Sequence, residues 1–98
     1  MAEAYFGRLL TAMVTPFNAD GSVNCEAAAD FAEWLLANGS DGLVVEGSTG
    51  EAATMFMDEK IAVLKAVVER VNGRAPVIVG AGTNCTASTL ELINAVEA

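Results

Sequence analysis

Three stretches of this chain are apolar without polar alternation: Leu9 to Thr15, Leu43 to Val45 with its flanks, and Pro76 to Ala81. Strands of that kind belong to parallel sheets covered on both faces. Parallel neighbours need a crossover of a dozen or more residues, and the three starts recur at roughly 33-residue intervals, room for one β–α unit each. The segments between them carry helix signals. The first opens at Asn24, a capping side chain, places Ala28, Phe31 and Leu35 on one face, and stops at Asn38-Gly39, where glycine supplies the left-handed residue beyond the helix. The second opens at Asp58, repeats apolar residues at Ile61, Leu64, Val68 and Val71, and stops at Asn72-Gly73. The third follows Thr86, another capping candidate, with Leu90, Ile93 and Val96 at helical spacing. The chain therefore reads as one α/β domain over residues 1–98, a parallel (βα)₃ unit. Periodicity leaves open whether the sheet curls toward a barrel or is doubly wound. A complete (β/α)₈ barrel takes roughly 250 residues, so on the barrel reading this is a truncated segment of one.

Charge narrows the partners. Thirteen acidic residues against five basic give a net charge of −8 with no histidine, which repels phosphate backbones and anionic lipid surfaces. Arg8, Lys60, Lys65, Arg70 and Arg74 form no run, so neither nucleic acid nor membrane is an expected partner. The N-terminus lacks the basic and apolar regions of a signal peptide, which points to the cytoplasm. Cys25 and Cys85 stand 60 positions apart with no histidine to help bind zinc, and both read as free thiols. With 53% of its residues hydrophobic, the chain has ample surface to bury and is not disordered.

In parallel α/β proteins, ligands bind at the carboxyl ends of the strands, where loops gather backbone donors and helix N-termini. After the first strand comes Thr15-Pro16-Phe17, where proline serves to end the strand. After the second comes Glu46-Gly47-Ser48-Thr49-Gly50-Glu51, the densest polar and glycine cluster of the chain. There, N–H and O–H groups can converge on a carboxylate, or the two hydroxyls can simply bond their own backbone in a turn. After the third strand, Gly80-Ala81-Gly82 lacks the last glycine of a dinucleotide fingerprint, and no phosphate-binding loop with its lysine occurs, so neither a nicotinamide cofactor nor a nucleoside triphosphate is expected. Lys60 and Lys65 fall opposite the Ile61–Val71 stripe, the place of solvated surface lysines, and Met55-Phe56-Met57 suits packing or subunit contact.

Three motifs in order, Leu10-Thr11-Ala12-Met13-Val14-Thr15-Pro16-Phe17, Gly42-Leu43-Val44-Val45-Glu46-Gly47-Ser48-Thr49-Gly50-Glu51-Ala52 and Pro76-Val77-Ile78-Val79-Gly80-Ala81-Gly82-Thr83-Asn84, resemble the N-terminal third of the dihydrodipicolinate synthase and N-acetylneuraminate lyase family. The resemblance implies a segment of a TIM barrel and, for the intact parent, a class I aldolase. Such an enzyme holds pyruvate as a Schiff base on a barrel lysine and joins it to, or releases it from, an aldehyde, with no cofactor and no metal. It also implies that Thr49, with Gly50 beside it, binds the pyruvate carboxylate, and that Ser48 relays protons between two tyrosines. The lysine, the tyrosines and a carboxylate-binding arginine come from later parts of such barrels, and Tyr5, the sole tyrosine here, precedes the first strand. The 98 residues alone are therefore expected to be inactive.

Serine at position 48 is the lyase habit, while Gly82-Thr83-Asn84 followed by Thr86-Ala87 is closer to the synthase. The favoured parent activity is condensation of pyruvate with aspartate semialdehyde in lysine biosynthesis. The alternatives are cleavage of a sialic or 2-keto-3-deoxy sugar acid, and a non-catalytic self-associating module. By the same resemblance, Ala52, Ala53 and Asn84 would help line a regulatory lysine site. Met57 and Lys60 stand where feedback-sensitive members carry histidines, so the Lys60 ammonium would repel lysine and leave the enzyme insensitive to it. An exposed sheet face predicts a homo-oligomer joined through Leu10, Met13, Val44 and Val79.

Overall fold

A computed structural model describes residues 7–97; the N-terminal stretch read for a leader, and Tyr5 within it, lie outside the described residues. Six main elements follow in order: β1 (Leu10–Ala12), α1 (Cys25–Ala37), β2 (Gly42–Val45), α2 (Met57–Val71), β3 (Val77–Val79) and α3 (Thr86–Glu97), with a short 3₁₀ turn at Ala52–Thr54 before α2. The strands are parallel in the order β1-β2-β3, and the register sets Ala12 beside Val44 and Val44 beside Ile78. Each crossover steps to the next strand in the same direction. Crossovers are right-handed in nearly all proteins, so α1 and α2 come to one face of the sheet, where they pack on each other. That is the winding of a barrel segment, and it closes the doubly wound alternative. No helix among the described residues is long and apolar enough to cross a membrane.

The helix boundaries follow their caps. Asn24 Oδ1 accepts the Ala27 N–H at 2.9 Å, and Gly39 takes φ of 109° just past α1. The Glu59 carboxylate accepts the Phe56 N–H at 2.8 Å ahead of α2, whose end passes into left-handed Asn72 and Gly73. The strands are shorter than their apolar runs. Pro76 has no N–H to add to a ladder, yet its carbonyl accepts the Leu43 N–H at 3.0 Å and ties β3 to β2.

Met13, Leu43 and Val45 meet Ala28 and Ala32 of α1 and Val63, Val67 and Val71 of α2 in one core, which also takes in Met55. Alternation puts Leu43 and Val45 under the helices and turns Val44 the other way. The expected face of α2 needs correcting. The structure buries Lys60, Val63, Val67 and Val71, while Val68 is 47% exposed. Apolar residues cover more than half of this helix, and the short valines fit against the alanines of α1 where Ile61 and Leu64 would crowd. On α3 the buried side chain is Leu92, with Leu90 and Ile93 outward, again a different side of the helix from the expected stripe. Of the expected Met55–Met57 contact run, Met55 is core and Phe56 is exposed.

Candidate functional site

The loop after β2 is held from below. Thr15, 6% exposed, donates its hydroxyl proton to the Gly50 carbonyl at 2.7 Å. Gly50 is itself buried, and a Cβ there would lie 3.0 Å from the Thr15 hydroxyl and 3.1 Å from the Met13 carbonyl. Pro16 ends the strand as expected, but Thr15 is more than a strand terminus: it fixes the height of the loop above the sheet. Gly50 and Glu51 N–H groups donate back to the Gly47 and Ser48 carbonyls at 3.1 and 3.0 Å. This tight turn presents Ser48 and Thr49 outward, both exposed.

The other anchor is β3. Gly80 N–H donates to the Val45 carbonyl at 2.8 Å, and there is no room for a side chain on Gly80 against the Glu46 carbonyl. Glycine is required there because the two strand ends touch through their backbones. Between them opens a cleft of about 490 Å³, lined by Glu46, Ser48, Ala52, Ala53, Lys60 and Asn84 together with Gly47, Gly80, Gly82 and Thr83. Its size suits a small molecule.

Of the residues singled out by sequence, Ser48, Ala52, Ala53 and Asn84 meet in this cleft. Thr49 stands on the loop outside the cleft lining, and Gly50 lies underneath the loop. Two charged residues line the cleft as well, Lys60, which the resemblance sets at the regulatory site, and Glu46. Lys60 is 8% exposed and lines the cleft, which corrects its reading as a solvated lysine; Lys65 is exposed as expected. Lys60 occupies the inward row one turn before Val63 and Val67; the helix-face reading turned it outward, while the resemblance placed it at the regulatory site. Glu46 is 2% exposed, has left-handed φ of 62°, and neither carboxylate oxygen has a hydrogen-bond partner. Burial pushes its carboxyl up to about 7, and the Lys60 ammonium opposes that rise. The signal was present in the sequence as an acidic residue closing an otherwise apolar strand.

The family model described as the dihydrodipicolinate synthetase family matches residues 5–98. A curated relative, 4-hydroxy-tetrahydrodipicolinate synthase of Desulforamulus reducens, is 53% identical over 97 residues, covering 99% of this chain and 33% of the relative. Among solved structures, dihydrodipicolinate synthase from Cyanidioschyzon merolae with lysine bound superposes with a TM-score of 0.90 at 38% identity, covering 97% of this chain and 33% of that one. N-acetylneuraminate lyase from Proteus mirabilis gives 0.86 at 38% identity, covering 91% and 30%. The chain spans about a third of the length of the curated relatives it matches.

Proposed function

Because the chain belongs to the dihydrodipicolinate synthetase family, we propose that it supplies the first three β–α units of a pyruvate-dependent class I aldolase, a 4-hydroxy-tetrahydrodipicolinate synthase. That enzyme condenses pyruvate with aspartate semialdehyde. The observation that carries the reading is the loop pinned by Thr15 and Gly80, which holds two adjacent hydroxyls at the carboxyl end of β2. On this turn Thr49, with Gly50 behind it, holds the pyruvate carboxylate, and Ser48 passes protons. Neither lysine of this chain lies on a strand. Both stand on α2, whereas the barrel lysine of such an aldolase sits at the carboxyl end of a strand, so the nucleophilic lysine is assigned to another part of the enzyme.

The synthase names of the curated relatives favour this activity over the lyase one. Ala52, Ala53 and Asn84, lining the same cleft as Lys60, form the regulatory face, and the Lys60 ammonium excludes the ε-ammonium of free lysine. Glu46 in the same cleft partly offsets that repulsion.

The residue roles are tested in a chimera in which residues 7–97 replace the matching third of the Desulforamulus reducens synthase. Ser48→Ala should lower kcat by about 10²- to 10⁴-fold with little change in KM for pyruvate, because a relay hydroxyl acts in the proton-transfer transition state. Thr49→Val should chiefly raise that KM. Reversal of the two effects rejects the assignment. Inhibition of the same chimera by sub-millimolar lysine rejects the regulatory reading.

A further inference from the structure

Glu46 and Lys60 are the two charged residues lining the cleft, and the proton relay proposed for Ser48 uses neither. They reach it from different elements, Glu46 at the end of β2 and Lys60 in the first turn of α2, and both are withdrawn from water. The rest of the cleft wall is uncharged, and Lys60 also lines the adjoining cleft, to which α3 brings Glu91. Neither Glu46 oxygen has a hydrogen-bond partner, and the ion pairs among the described residues are Arg70–Asp30 and Arg74–Glu33, away at the α1–α2 surface. Carboxyl and ammonium thus face one cleft without touching. A buried carboxylate is costly to leave unpaired, and the Lys60 ammonium is the one cation lining the cleft. The Glu46 backbone is held against Gly80, and Gly50 is tied to Thr15, so the part of the loop free to respond lies between them at Gly47, Ser48 and Thr49.

We propose that Glu46 and Lys60 are a positioning pair for Ser48: the ionised carboxylate closes onto the ammonium, and that closure sets where the Ser48 hydroxyl stands. The proposal rests on the relay reading of Ser48 for its functional meaning. With the Glu46 carboxyl raised to about 7, protonated and paired forms exchange near neutral pH.

Nuclear magnetic resonance on the 98-residue chain tests this without measuring turnover, so its failure leaves the aldolase reading standing. Between about pH 5 and about pH 9, a range that brackets the raised carboxyl, the amide signals of Gly47, Ser48 and Thr49 should move with the same midpoint as the Glu46 carboxyl carbon. Glu46→Gln, which keeps the shape, should abolish that movement. Lys60→Met should shift the carboxyl midpoint upward and abolish the amide response, and Lys60→Arg should restore it. The pair is disproved if the amides stay still while Glu46 titrates, or if they move alike in Glu46→Gln or Lys60→Met.

Discussion

The Thr15 hydroxyl is buried and gives its one proton to the Gly50 carbonyl, so Thr15→Val would keep the shape and orphan a buried acceptor. The expected cost is about 1–3 kcal/mol, read from the urea midpoint, with Thr15→Ser close to the parent. A change below about 0.5 kcal/mol, within the range of ordinary surface substitutions, would show that the bond does not hold the loop. At this scale the sequence was only partly legible. Ser48, Ala52, Ala53 and Asn84 were picked out from motifs and do converge on one cleft. The resemblance also set Lys60 at the regulatory site, but its burial, the hold of Thr15 on the loop and the orphan carboxyl of Glu46 were not legible, because they rest on the inward side of a helix, a contact across 35 residues and the enclosure of a strand end. Of these, Glu46 alone leaves a local trace, an acidic residue closing an apolar strand.

At the scale of elements, start and stop chemistry placed the helices well: Asn24, Asn38-Gly39 and Asn72-Gly73 sit at or next to the observed ends. Which face turns inward was harder. Valines, Ile61 and Leu64 wrap α2, and the outcome was decided by the small residues Ala28 and Ala32 on the opposing helix, a tertiary fact. The observed stripe makes a sharp distinction between neighbours. Val67→Ala, at a fully buried position, should cost about 1.5–3 kcal/mol, whereas Val68→Ala, 47% exposed, should cost less than about 0.5 kcal/mol in the same denaturation experiment. Equal losses at the two positions would mean that α2 is rotated from its described orientation. The surface pairs of α1 with Arg70 of α2 (Asp30) and with Arg74 just beyond α2 (Glu33) add little to that packing, since exposed ion pairs contribute about 0–1 kcal/mol.

At the scale of the whole molecule, three consecutive parallel strands wound in one direction leave one sheet face without helices. Periodicity could not choose this winding over a doubly wound sheet, because both place a helix between successive strands; strand order decides it. Ala12, Val44 and Ile78 form a row on that open face, with Val14 following Ala12 by alternation and 51% exposed. Met13, expected at an interface, is instead 2% exposed in the core, and the ladder sets Val79 beside Val45 on the helix side. The open apolar row and the strand edges predict self-association of the 98-residue chain into a small closed oligomer, limited by its charge of −8. Light scattering over a dilution series checks this, and a folded 10.1 kDa monomer at all concentrations would contradict it. As proposed, these residues supply a third of a pyruvate–aspartate semialdehyde synthase. The most direct measurement is the substrate choice of the chimera with the Desulforamulus reducens enzyme. The expected result is condensation of pyruvate with aspartate semialdehyde and no cleavage of N-acetylneuraminate; a folded chimera that traps pyruvate on its lysine, yet cleaves the sialic acid and leaves aspartate semialdehyde untouched, would contradict the proposed activity.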